Sequence, residues 1–412
     1  MRRPARLLAG AGCAAALLLP AAPALADAPA LPAHPRAVPA ADGKKGQELP
    51  GMPAALDPQD AQAACTPASK ATAKKQDWSR QRLDLDRVHE HATGAGVTVA
   101  LVDTGVAPGA AGLDGRVTAS GDAAEDCVGH GTFLAGLIAG DGLRLSGVAP
   151  RARILALRGT DRRGAPDAPL VAAAVRAATG AGADVIAVGV ALPRRDAGLT
   201  RAVAEARREG AVVVAAAAPD PPRTGGADVP ARTYWPAGEP GVLAVADMVP
   251  AGTRPRSALP ALGVDLAAPG AGVVSGGPRG EGHYLGGGAS VAAAYAAGTA
   301  AVVRAAHPGD SPDAVVHRLT ATAYPADIPQ LDPYAAVTAV LPAQDTAGGR
   351  AAGAPGPVTV RDTAAADRAA GRATLFVALG CAAILAVLWS GYAVTRARSR
   401  GWRPPAPAAA ED

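Results

Sequence analysis

Six short apolar runs, at 98–102, 152–157, 183–188, 211–216, 242–245 and 264–267, constrain this chain more than any other feature. Each is rich in Val, Ile, Leu or Ala and only four to six residues long, the length of a buried strand. Helical patterns follow the first three, after His130 and at 170–179 and 199–209, whereas 211–216 runs into a Pro-rich loop at 219–226. Strand–helix alternation of this kind predicts an α/β fold, a mostly parallel sheet with helices on both faces. Ligands of such sheets bind beyond the carboxyl ends of the strands. Any chemistry should therefore sit where the apolar runs stop.

One acid stands at such a stop: Asp103, directly after Val97–Val102, in Asp103-Thr104-Gly105. Alone it reads equally as a loop acid or a helix cap. A second candidate, His130, lies in Asp126-Cys127-Val128-Gly129-His130-Gly131-Thr132, with glycines that leave its ring uncrowded and a helix after it. The third is Ser290, in Gly287-Gly288-Ala289-Ser290-Val291-Ala292-Ala293, where a glycine-rich loop gives way to a helical run at 290–306. A lone serine there is ordinarily a helix cap. A serine in the first turn also exposes its hydroxyl and sets its own N–H at the positive end of the helix dipole. Serine is a poor nucleophile until an imidazole takes its proton, and an acid fixes the imidazole tautomer. Asp103, His130 and Ser290 supply all three, in that chain order and spaced by about 27 and 160 residues.

The ends of the chain point to export and anchoring. Arginines at 2, 3 and 6, an apolar run at 7–19 and Ala24-Leu25-Ala26 have the anatomy of a secretory signal peptide, residues 1–26. Residues 27–75, rich in Ala, Pro and Lys, read as an extended arm, and 343–371, rich in Ala, Gly and Pro, as a tether around a domain at 76–342. Residues 374–394 carry no charge over 21 positions, within a proposed transmembrane helix at 372–395. The alternative for this stretch is a buried core helix. Arg396, Arg398, Arg400 and Arg403 follow it, which predicts a cytoplasmic tail at 396–412 and an extracytoplasmic domain at the cell membrane.

Of four cysteines, Cys13 lies in the signal and Cys381 in the span, leaving Cys65 and Cys127. In an oxidising compartment a disulfide is favoured, with two unpaired thiols as the alternative. The net charge of +4 and the absence of a basic stripe interleaved with aromatics argue against nucleic acid as a partner. No acids alternate as calcium ligands do, and His89 and His91 lack the i, i+4 spacing of a metal pair, so they read as surface residues and no metal or cofactor is expected.

The Asp, His, Ser order is that of subtilisin. Asp-Thr-Gly at 103–105, His-Gly-Thr at 130–132 and Gly-Ala-Ser-x-Ala-Ala at 288–293 resemble the subtilase family, and Val264-Asp265-x-x-Ala268-Pro269-Gly270 is as in that family. Within it, Asp126 to Thr132 and Ser146-Gly147-Val148-Ala149-Pro150-x-Ala152-Arg153-Ile154-Leu155 resemble mycosins, membrane-anchored subtilases of bacterial type VII secretion systems. The resemblance covers about residues 65–395. It implies a subtilisin-like fold, a polypeptide substrate, and membrane proteins of a secretion complex as partners.

Two departures stand out. Where subtilases follow a strand like Val212–Ala217 with Gly-Asn, whose amide donates to the oxyanion, this chain has Ala218 and Pro219, and proline has no donor. Asp220 is expected not to substitute, because a carboxylate repels the developing charge. Arg223 or Thr224 is a remote alternative donor. The strand expected to pair with substrate, Val188, Gly189 and Val190, lacks the family's Asn and Ser, although strand addition needs only the backbone. The expected function is a membrane-anchored serine endopeptidase slowed at its oxyanion site. The alternative is an inactive pseudo-protease that braces a secretion complex.

Overall fold

The computed structural model describes residues 48–341, apart from 58–59, 61, 63, 120, 143–144 and 221–229, together with 364–401. The signal segment, residues 27–47 of the arm, most of the tether and tail, and Arg223 and Thr224 lie outside the described residues. The chain divides into two compact units, Met1–Pro342 and Ala343–Asp412.

The first unit opens with α1 (Trp78–Arg82), α2 (Leu85–His91), β1 (Thr98–Asp103), β2 (Val117–Thr118), α3 (His130–Ala139) and β3 (Arg153–Arg158). It continues with α4 (Ala168–Gly180), β4 (Val185–Val188), α5 (Ala197–Arg208), β5 (Val212–Ala216), β6 (Leu243–Met248) and β7 (Leu266–Pro269). The remainder is β8 (Val273–Gly276), β9 (His283–Gly286), α6 (Ala289–Ala306), α7 (Pro312–Ala321) and α8 (Pro333–Thr338). Seven strands form one sheet in the order β2-β3-β1-β4-β5-β6-β7, every pairing parallel. β8 and β9 form a separate antiparallel pair that supports the loop before α6.

The sheet is buried on both faces, and the two-residue strand period sorts its side chains. Val99, Leu101, Val185, Ala187, Val212 and Val214 join the core with α3 and α6. Ala100, Val102, Ile186, Val188, Val213 and Ala215 join the core with α4 and α5. The runs 242–245 and 264–267 are strands shifted towards their C-terminal ends, because their pairing continues through Met248 and Pro269. Alanines line α6 almost throughout, so it packs closely on β4, β5, β6 and β7. This helix is apolar enough to pass for a membrane span, yet it is the buried core helix of the unit.

The described part of the arm is not structureless. Met52 N donates to Leu285 O and Leu285 N to Pro50 O, which lays residues 50–52 along β9. Farther on, His283 N donates to Ala71 O and Ala73 N to His283 Nδ1. A segment short of apolar periodicity is thus held by backbone hydrogen bonds to an exposed edge, a pairing that composition does not reveal. His89 is also more than a surface residue: it is half-buried on α2, its Nε2 bonded to Val148 O at 3.0 Å.

The second unit is described by α9 (Ala364–Ser399), within which Leu379–Ser399 is apolar enough to cross a membrane.

Candidate active site

β1 ends at Asp103, whose side chain is buried beyond the strand's carboxyl end. Its Oδ1 accepts both from Thr104 N and from His130 Nδ1, each at 2.8 Å. Its Oδ2 has no hydrogen-bond partner among the described residues. His130 is the first residue of α3, and a buried acid fixes that helix start. Asp126 Oδ1 accepts from Thr104 Oγ1 at 2.9 Å and Gly129 N at 2.7 Å, and its Oδ2 from Thr132 N at 2.8 Å and Thr132 Oγ1 at 2.7 Å. Gly131 N in turn donates to Thr104 Oγ1 at 2.8 Å, so one network ties the loop after β1 to the start of α3. Burial pushes the Asp126 carboxyl up, against the lowering effect of these bonds. Asp126 was visible in sequence only as part of a motif; its positioning work needs the folded loop.

Ser290 lies in the first turn of α6, fully buried, with Oγ 3.1 Å from His130 Nε2. The structure thus brings Asp103, His130 and Ser290 together in one hydrogen-bonded line. Burial by itself would lower the His130 imidazole, but the Asp103 charge and hydrogen bond, followed by those of Asp220, raise it well above its ordinary value.

The oxyanion side differs from the expectation. Pro219 lines the cleft wall, but it is Asp220 that reaches Ser290. Its Oδ1 accepts from Ser290 N at 3.1 Å, and its Oδ2 accepts from Ser290 Oγ at 2.5 Å and lies 3.1 Å from His130 Nε2. An acid dismissed in sequence as electrostatically wrong occupies the site itself. The signal available was an Asp four residues past the end of β5, at the carboxyl end of the sheet where Asp103 also lies.

The expected substrate strand is also revised. Val188 is fully buried and pairs with Val102 on one side and Ala215 on the other, so it offers no free edge. Beyond it, Gly189, Val190 and Ala191 line a cavity of about 160 Å³ over His130. Ala54 and Ala55 of the arm line the same cavity. Cys65 and Cys127 form a disulfide, which ties the arm three residues ahead of His130, and Thr66 Oγ1 adds a 2.6 Å bond to Val128 O. Among the described residues no group of three or more His, Cys, Asp or Glu is placed to hold a metal ion.

The arrangement sets a serine hydroxyl against one nitrogen of an imidazole and a carboxylate against the other, beside a narrow cleft. Known proteins are similar to this chain over more than half of its length. Mycosin-3 of Mycobacterium tuberculosis is 33% identical over 343 residues, which span 66% of this chain and 73% of that protein. Thermitase of Thermoactinomyces vulgaris is 32% identical over 235 residues, 55% of this chain and 81% of its own. The solved structure of the MycP3 protease from the type VII (ESX-3) secretion system superposes with a TM-score of 0.57 at 32% identity, covering 71% of this chain and 97% of that one. MycP1 from Mycobacterium smegmatis superposes with a TM-score of 0.58 at 28% identity, covering 70% and 92%. Residues 94–368 match the family model for peptidase S8, the subtilase family. With that match across most of its length and mycosins among its relatives, the chain belongs to the subtilase family.

Proposed function

We propose that this chain is a membrane-anchored serine endopeptidase of the mycosin kind that works beside a type VII secretion complex. The observation that carries the reading is the His130 ring, bonded to Asp103 through Nδ1 and to Ser290 Oγ through Nε2. In this reading Ser290 Oγ attacks the scissile carbonyl and His130 Nε2 takes its proton, then delivers it to the leaving amine. Asp103 holds the ring and stabilises the imidazolium. The Ser290 N–H at the start of α6 faces the oxyanion, and the peptide adds to the backbone of Gly189–Ala191.

The secretion role is supported by the relatives: the MycP3 protease is described as part of the type VII (ESX-3) system. Anchoring is supported by the apolar stretch Leu379–Ser399 with Arg396 and Arg398 at its end. In this reading the first unit lies outside the cell membrane and the tail in the cytoplasm.

The test is labelling of the full-length protein in membranes with a fluorophosphonate, from about pH 4 to about pH 9. The parent should label, and Ser290→Ala and His130→Ala should not. A folded parent that never labels would sink the reading.

One observation favours a second reading, a pseudo-protease that braces the complex: the Asp220 carboxylate occupies the Ser290 N–H. In that case secretion in a Ser290→Ala strain would match the parent and be lost only when the whole first unit is deleted.

A further inference from the structure

Three hydrogen-bonding contacts converge on one side chain outside the Asp103–His130–Ser290 line. Asp220 accepts the Ser290 N–H and the Ser290 hydroxyl, and its Oδ2 stands 3.1 Å from His130 Nε2. Its seat is made by Gly288, whose φ of +133° is a glycine conformation and whose absent Cβ would fall 2.0 Å from Asp220 Oδ1. The ionisable groups around it are His130 at the start of α3, Asp103 behind that ring on β1, and Asp247 on β6, which is paired to Arg254 at 2.9 Å. Ser290 faces it from α6.

We propose that Asp220 is both the gate and the oxyanion donor of this active site: as a carboxylate it closes the site, and as a carboxylic acid it donates to the tetrahedral intermediate. The proposal rests on the endopeptidase reading and adds its control. As a carboxylate, Asp220 takes the one backbone donor that the oxyanion needs and draws the Ser290 proton away from the base. It also holds His130 as an imidazolium between two carboxylates, where the ring cannot accept a proton. Moving that proton from His130 Nε2 to Asp220 Oδ2 leaves the protonation of the pair unchanged. It turns the imidazole into a base and the acid into a donor. A carboxylic acid kept neutral to donate to an oxyanion is established chemistry in another enzyme class.

The working form is therefore the pair carrying one proton, with that proton on Asp220 and not on His130. From it, Ser290 Oγ bonds to the carbonyl carbon while the C=O π pair moves onto oxygen. The hydroxyl proton goes to His130 Nε2, and the Asp220 O–H donates a hydrogen bond to the oxyanion without transferring its proton. The C–N bond then breaks and the amine leaves with the proton from His130. With two protons on the pair His130 cannot act as base, and with none Asp220 repels the oxyanion. The rate should be bell-shaped in pH.

The experiment uses full-length protein in detergent micelles. Fluorophosphonate labelling rates are measured against pH for the parent, Asp220→Asn and Asp220→Ala, and the His130 imidazole is titrated by NMR with 15N-histidine in the parent and Asp220→Asn. Asp220→Asn supplies a neutral donor at every pH, so it should label roughly 10²-fold faster above neutrality and lose the alkaline limb. Asp220→Ala, unplugged but without a donor, should fall between them. His130 should titrate at lower pH in Asp220→Asn, since one anionic neighbour is gone. An Asp220→Asn rate no faster than the parent above neutrality, or an unmoved His130 titration, overturns the proposal. That is the result expected if Asp220 merely caps α6. No labelling in any variant, with His130 shifted as stated, overturns the endopeptidase reading and the donor role together, while the hold on His130 stands.

Discussion

Gly189 holds the Asp103 carboxylate in place by having no side chain. A Cβ there would lie 2.2 Å from Asp103 Oδ2 and 2.9 Å from Leu134 Cδ1. Asp103 is buried and carries both its hydrogen bonds on Oδ1, so an added methyl must rotate or push the carboxylate that aims His130. A displacement of about 1 Å in such a site costs on the order of 10²-fold in rate. Gly189→Ala should therefore slow fluorophosphonate labelling by about 10²-fold while circular dichroism stays that of the parent; a parental rate would show that Asp103 tolerates the shift. Asp103, His130 and Ser290 were legible in the sequence because acid, base and nucleophile follow one another in an order with a known chemistry. Asp220 was not, because a charge argument applied to an isolated carboxylate excludes it from an oxyanion site. Only the fold shows that it shares the site with the His130 imidazole, 3.1 Å away.

Strands and helices were readable because fully buried parallel strands are short uninterrupted apolar runs. Val188 shows the limit of that reading: the sheet interior reaches Val188 at the end of the run and the cleft wall starts at Gly189, and no periodicity marks the change. The arm shows another, since the pairing of residues 50–52 with β9 spends backbone groups and leaves no side-chain pattern. What pins the arm covalently is Cys65–Cys127, across a sequence separation of 62. Closing a loop of that length contributes about 4 kcal/mol in the chain-entropy model. The paired variant Cys65→Ser, Cys127→Ser should lower stability by up to that amount in chemical denaturation. Because Thr66 N and Oγ1 bond Cys127 O and Val128 O, limited proteolysis of that variant should cut first between 57 and 75. Cleavage confined to other loops would mean that hydrogen bonds alone secure the arm.

At the scale of the whole molecule, two helices among the described residues are long and apolar enough to cross a membrane, and burial separates them. Ala289–Ala306 has 83% of its residues buried inside the first unit, where its face is spent on the sheet. Leu379–Ser399 has none buried, with Leu379, Ile384, Leu385, Val387 and Leu388 all exposed. Its 21 residues, with a mean hydropathy of 1.4 over an 18-residue stretch, would extend roughly 31 Å, the thickness of a bilayer core. Trp389 and Tyr392 stand near its basic end, and Arg396 Nη1 donates to Tyr392 Oη at 2.6 Å, a pairing suited to a headgroup boundary. The full chain should therefore remain with membranes through an alkaline carbonate wash, and a chain ending at residue 341 should be released. By the positive-inside rule the arginines at the end of Leu379–Ser399 predict a cytoplasmic tail. Protease added outside intact spheroplasts should digest the first unit and spare a tag fused after Asp412. A tag lost before the spheroplasts are lysed would put the tail outside, and the active site with its Asp220 gate would then face the cytoplasm.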